Sequence, residues 1–236
     1  MQEQGNWVHS VEMAEPSFGD NTADADRLRR ALAPWGEGFP LLLDLDLIRR
    51  LPDIFRKYGY GASCCLFRDG QVQVVTGVKG LEEEGGWLGL AVDLGTTRYV
   101  LALIHLESGR ELARLSRDNP QMELGTDILT RIHYVGDSQE RLNTMQRLVL
   151  EDLREACGQL CREAGERPER IANVALSGNT AMTHFFLGLP PKWIIREPYI
   201  PALNFPDLVP AAELGLDFAP QARVMCFPGV GSYFGG

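Results

Sequence analysis

Asp93 ends an apolar run, Leu88 to Val92, and Leu94, Gly95, Thr96 and Thr97 follow before a second apolar run opens at Tyr99. A carboxylate at the mouth of a buried strand, ahead of a small-residue turn with two hydroxyls, has two readings. As chemistry, Gly95 lets a ligand approach closely and allows a positive φ. Thr96 and Thr97 supply hydroxyl donors, and successive backbone N–H groups in such a turn form an anion-binding nest. A carboxylate beside a bound phosphate is repelled unless a cation lies between them. Asp93 therefore reads as a Mg2+ holder acting through water, because Mg2+ keeps much of its hydration shell. The reaction class is phosphoryl transfer, which rests on positioning and charge neutralisation, with Asp93 as the catalytic candidate. As plain structure, the same residues make a hairpin turn, since Asp and Gly are common in turns and Thr in strands.

A second stretch, "LSGNTAMTHFF" (176–186), offers another anion contact. Gly178 follows a buried strand, and Asn179 or Thr180 caps the next helix. A helix N-terminus binds anions, although capping alone needs no ligand. His184, one turn into that helix, reads as a core or capping-region histidine rather than a base. No Gly-x-x-x-x-Gly-Lys occurs, so a P-loop has no support.

These residues need elements to position them. Strand 88–93, loop 94–97, strand 98–106, a turn at 107–109 and strand 110–116 form an antiparallel meander. Residues 125–136 read as a short helix. Residues 138–165 read as a long amphipathic one, with Leu142, Met145, Val149, Leu153, Cys157, Leu160 and Ala164 on its apolar stripe, stopped by Gly165 and Pro168. Residues 170–188 are a strand, a turn and a helix. The remainder, proline-rich, ends on a strand entering a glycine loop.

Ahead of this block lies another, covering 1–84 and joined at "KGLEEEGGW" (79–87), an acidic, glycine-paired hinge. Asp20, Asn21 and Thr22 are capping types ahead of a helix carrying Leu28, Ala31 and Leu32. A second helical stripe, Leu47, Ile48, Leu51, Ile54 and Phe55, contains Pro52. A β-hairpin turns at Asp69-Gly70. His9 reads as a solvated terminal histidine.

Composition narrows the partners. The chain of 236 residues is 44% hydrophobic, enough for a core, and its net charge of −9 disfavours a nucleic-acid backbone. No apolar run reaches the roughly 20 residues that span a bilayer, and no signal peptide opens the sequence, so a cytoplasmic location is expected. Five cysteines without a Cys-x-x-Cys do not read as a disulfide framework. Cys157 and Cys161 share a helix face as core residues.

The buried run, the Asp-x-Gly-Thr-Thr loop and the two strands after it resemble the opening of the actin-like, sugar-kinase and heat-shock ATPase (ASKHA) fold. More specifically, "GLAVDLGTT", "SRDNPQMELGTDILTRI", "LSGNTAMTHFFLGLPP" and "EPYIPALN", in this order, resemble the ATP-dependent reductive activators of corrinoid proteins. The first block, with "EPSFGDNTADADRLRRAL" and "LDLDLIRRLPDIFR", is similar to that family's middle domain. The resemblance implies an α/β chain: a small α/β middle domain (1–84), then the N-terminal lobe of an actin-like, RNase H-like ASKHA ATPase with a mixed sheet (87–236). It implies ATP and Mg2+ as cofactors, with Gly95, Thr96, Thr97, Gly178, Asn179 and Thr180 on the phosphates and Asp93 on the metal. It implies a corrinoid protein of a methyltransferase system as partner, returned from Co(II) to Co(I).

Two departures accompany the resemblance. Family members carry a [2Fe–2S] cluster, and this sequence offers no ligand motif for one. Family members also continue into a second ATPase half, so the chain is expected to be part of an activator, folding alone but binding MgATP weakly or not at all. Arg98 stands where a small or hydroxyl residue is usual, to touch phosphate or to face solvent. Two alternatives stand beside this reading: an ASKHA-fold kinase of a small metabolite, and a non-catalytic docking module for a corrinoid protein.

Overall fold

The computed structural model describes residues 7–36 and 38–229. Its first part is built on four strands. β1 (Val8–Glu12) pairs antiparallel with β3 (Gly61–Arg68), β3 with β4 (Gln73–Gly80), and the two-residue β2 (Leu41–Leu42) lies parallel on β4's far edge. Helices α1 (Asp24–Leu32) and α2 (Leu45–Lys57) cover the sheet, burying Leu28, Leu32, Leu47, Leu51 and Phe55 against Val11, Ala62, Cys64 and Val75. The expected hairpin is present. Asp69 Oδ1 accepts from the N–H groups of Gln71 and Val72 at 2.8 and 3.1 Å, and Gly70 takes φ +99°.

Three expectations change here. The N-cap of α1 is Ala23, which makes no side-chain cap. Asp20 is turned instead to Arg27 Nη1 at 2.7 Å and to Thr22, and these bonds hold its carboxyl well below the usual range. His9 is not solvated. It is buried on the inward face of β1 and stacks on Trp35 with centroids 4.6 Å apart. The third is the 79–87 hinge, whose C-terminal end is packed. Trp87 lies against Gly77, where a Cβ would meet the indole at 2.5 Å, and enters the second core.

That second core belongs to a six-stranded mixed sheet of order β7-β6-β5-β8-β10-β9. β5 (Leu88–Leu94), β6 (Arg98–His105) and β7 (Arg110–Asp118) form the antiparallel meander. α3 (Ile128–Val135) and α4 (Gln139–Ala164) follow, and then β8 (Ile171–Gly178) returns parallel to β5. α5 (Thr180–Leu187) leads through an irregular segment to β9 (Val209–Pro210) and to β10 (Arg223–Cys226), which is parallel to β8. α4 is bounded as its sequence dictates, with Ser138 accepting from Arg141 N–H at 3.3 Å and Gly165 at φ +68°. Of its predicted stripe, Leu142 through Leu160 are buried and Ala164 is half-buried. The glycine loop expected after β10 lies outside the described residues beyond Gly229.

The two sheets are joined by polar contacts. Asn173, in β8, accepts from Thr76 Oγ1 at 2.7 Å and donates to the carbonyl of Leu66 at 3.0 Å, all inside the protein. Gln221 bridges Arg50 and Asp46, and Arg223 pairs with Asp44. The helices α4 and α5 pack on one face of the large sheet. On the other face, Gly89, Ala91, Ile104, Ala175, Met225 and Phe227 line a shallow apolar hollow of about 250 Å³, walled by Trp7 and Phe67.

Candidate functional site

Parallel strands carry ligand sites beyond their carboxyl ends, where neighbouring strands send their connections in opposite directions. β5 and β8 are such a pair, since β5 continues to β6 on one side and β8 to β10 on the other. Asp93 sits opposite Ser177, and Leu94 opposite Gly178. The loops 95–97 and 178–180, 80 residues apart in sequence, therefore leave the sheet side by side. Asn179 Nδ2 donates to Thr96 Oγ1 at 3.2 Å across the gap.

The first loop is held by the segment that follows β7. Asn119 Nδ2 donates to the carbonyl of Gly95 at 2.8 Å, Arg131 Nη2 to that of Thr96 at 2.6 Å, and the Asn119 N–H to that of Thr97 at 2.8 Å. In a planar trans peptide, C=O and the next N–H point in opposite directions. Fixing three successive carbonyls inward therefore turns the N–H groups of Thr96, Thr97 and Arg98 the other way. The amides of Thr96 and Thr97 donate no hydrogen bond among the described residues, and Thr97 is exposed. The loop therefore turns these donors away from the Asn119–Arg131 bracket, an orientation compatible with an anion.

The Asp93 side chain stands exposed at the rim, and its carboxylate makes no hydrogen bond or ion pair among the described residues. No group of three His, Cys, Asp or Glu side chains gathers anywhere among them. A divalent cation here fits a lone carboxylate through water and a ligand's own phosphates, which suits Mg2+ better than an all-protein cage. Gly95 does not adopt the positive φ expected of it. A Cβ on it would strike the carbonyl of Arg98 at 2.3 Å, so its smallness closes the turn itself. Arg98 pairs with Asp118 at 2.9 Å and stays exposed.

The second loop is a capped helix start. Asn179 Oδ1 accepts from Met182 N–H at 3.0 Å, as predicted for a cap, and Thr180 is buried at the first helical position. His184 is fully buried. Its Nδ1 lies 2.7 Å from the Thr180 carbonyl, and its Nε2 accepts from Ala202 N–H at 3.0 Å. That tautomer is the neutral imidazole with both nitrogens occupied, and burial lowers its pKa. It holds the Thr180 and Ala202 backbone in place.

Sequence reasoning assigned no site role to Asn119, Gln121 or Arg131. All three lie within "SRDNPQMELGTDILTRI". Asn119 caps the turn Pro120–Leu124, accepting from Gln121 N–H at 3.0 Å. Gln121 donates to the carbonyl of Met145 at 2.9 Å. Met182, in α5, places its sulfur 3.7 Å from Asn119 Nδ2 and 3.5 Å from Arg131 Nη1, tying the second loop's helix to the bracket that holds the first.

The cysteines take no part. Cys64 faces the small core, Cys65 the large one, Cys157 and Cys161 lie in α4 and Cys226 in β10, all free and buried. No four thiolates face one another, so these residues do not fit an iron–sulfur cluster.

Residues 6–84 match the family model described as the RACo linker region, and residues 88–236 the one described as the RACo middle region. Over 214 residues the chain is 27% identical to the corrinoid activation enzyme RamQ of Eubacterium limosum, covering 91% of this chain and 35% of that protein. A solved structure described as a reductive activator for corrinoid, iron-sulfur protein aligns at a TM-score of 0.86 and 31% identity, over 97% of this chain and 36% of that one. The chain thus spans about a third of the length of these relatives.

Proposed function

The chain belongs to the RACo family, and on that premise we propose that it works in the ATP-dependent reductive activation of a corrinoid protein, supplying one wall of the nucleotide site. The observation that carries this reading is the pair of loops at the ends of β5 and β8, with the Gly95, Thr96 and Thr97 carbonyls drawn inward. In this reading the Thr96 and Thr97 amides and hydroxyls receive the phosphates of ATP, with Gly178, Asn179 and Thr180 closing the opposite side. Asp93 orients water on Mg2+, which when bound neutralises charge on the transferring phosphoryl group. The partner is a corrinoid protein of a methyltransferase system, brought from Co(II) to Co(I). The electron source lies outside this chain, whose cysteines do not fit a cluster.

Losing the contacts of an opposing lobe costs affinity quickly, since about 1.4 kcal/mol is a factor of ten. Hydrolysis suffers more, because positioning in a closed site is worth about 7–11 kcal/mol of barrier. The 236-residue chain is therefore expected to bind MgATP weakly at best, in about the millimolar range, and to release no measurable phosphate. Titration of the 15N-labelled chain with MgATP, alongside a phosphate-release assay, tests this. Shifts confined to residues away from 93–97 and 178–180 would remove the reading.

A further inference from the structure

We propose that Arg131 is the buried cation of this phosphate site, a positioning residue that aims the Thr96–Thr97 peptide outward and supplies the positive charge an incoming phosphoryl group meets. The assignment rests on the phosphate-site reading above.

Arg131 is fully buried, the largest side chain among the described residues to be so. Its guanidinium is spent on neutral acceptors. Nε donates to the Gly125 carbonyl at 2.7 Å, Nη2 to the Thr96 carbonyl at 2.6 Å, and Nη1 faces Gln121 Oε1 and Met182 Sδ, each at 3.5 Å. No carboxylate forms an ion pair with it among the described residues. The carboxylate whose field reaches it is Asp127, the exposed N-cap of α3, and the two oxygens of Asp127 are taken by Thr130 N–H and Oγ1 at 2.9 and 2.7 Å.

A buried charge is costly unless it is paired. Burial brings Arg131 down to about 10, which still leaves it protonated near neutrality. If the site needed only filling, an apolar side chain would do so without that cost. If the Thr96 carbonyl needed only a donor, a neutral amide would serve, as Asn119 does for Gly95 one residue earlier. What neither substitute supplies is net positive charge directly behind the row of outward amides. An anion at the loop completes the ion pair that the folded chain lacks. The packing around Arg131 agrees with a fixed role: a Cβ on Gly125 would meet the Arg131 N–H and Cγ at 2.9 and 3.0 Å, so glycine is what lets the side chain lie where it does.

The test uses the 15N-labelled full chain and magnesium pyrophosphate as probe, with wild type, Arg131→Lys and Arg131→Gln, each checked for folding by circular dichroism. The wild type should show saturable shifts at the Thr96 and Thr97 amides and at the Arg131 Nε–H. Arg131→Gln, which keeps a donor but loses the charge, should weaken binding by about tenfold, the worth of a charge-assisted contact. Arg131→Lys should retain most of the affinity. A merely structural role would treat Lys and Gln alike, so equal losses, or wild-type affinity in the Gln variant, overturn the proposal and leave the phosphate site standing. Absence of loop shifts in the wild type overturns both. If the Gln variant does not fold, the wild-type Arg131 Nε–H resonance decides: an unmoved signal at saturation overturns the proposal.

Discussion

Asn173→Ala should loosen the joint between the two sheets. Asn173 is 5% exposed, and its amide meets Thr76 Oγ1 at 2.7 Å and the Leu66 carbonyl at 3.0 Å. The β3–β4 ladder slips by one residue between Cys65 and Leu66, and the Asn173 amide meets the carbonyl at that slip. Truncation removes one partner from each of two interior groups, at about 1–3 kcal/mol apiece, so about 4 kcal/mol is a central expectation. For a chain of this size each kcal/mol moves Tm by about 2–4 °C, giving a fall of about 8–16 °C. Scanning calorimetry measures it. Thr76→Val should account for about half of the loss, and the double variant should fall short of the sum by about 1 kcal/mol, since the two side chains share a bond. A Tm within about 1 °C of wild type, or strict additivity, would show that water in the adjacent hollow replaces the amide and that the joint does not depend on it.

Three further outcomes follow from the same structure. In a full-length activator, Asp93→Ala should abolish most corrinoid-stimulated ATP hydrolysis while changing stability by under about 0.5 kcal/mol, as expected for an exposed residue; unchanged turnover would remove Asp93 from the mechanism. Burial lowers the His184 pKa, so the unfolded chain binds more protons than the native one as pH falls through the ordinary imidazole range. The stability this neutral histidine contributes is present above about pH 6.5 and is lost below it, and urea unfolding between pH 7 and pH 5 should show a decline that His184→Gln lessens. Burial pushes the thiols of Cys64, Cys65 and Cys226 up to about 12. In the native chain at pH 8 these three thiols should therefore react with a thiol reagent only on unfolding, and modification of any of them within seconds would contradict this placement.

Much of the fold was legible because it is local. The apolar stripe of α4, its Ser138 and Gly165 ends and the meander after Leu88 all follow from spacing within one element. Asp93, Thr96 and Thr97 stood out as candidates by residue type alone. The adjacency of loops 95–97 and 178–180 is a matter of sheet order, which no local pattern encodes. Arg131 was hidden for the same reason: within α3 it reads as a surface arginine, and only the fold brings Thr96 to it. His9 misled because a polar residue on the inward face broke the alternation that would have marked β1. For Gly95 the expected positive φ is absent, and the close approach the structure shows there is by the chain's own Arg98 carbonyl.

The apolar hollow on the free face of the large sheet has a consequence for the chain as a colloid. Parallel strands such as β5, β8 and β10 ordinarily have both faces covered, and here Ala91 and Phe227 meet solvent. Two copies in solution feel contact attraction at that face and repulsion from a net charge of −9. The repulsion reaches only about 8 Å at physiological ionic strength and about 3 Å at 1 M salt, and it vanishes near the pI of about 5.0. The chain should thus be most monodisperse at low salt and mildly alkaline pH. Added sodium chloride, which strips the repulsion and spares the attraction, should raise its light scattering where it would clear a protein held together by ion pairs.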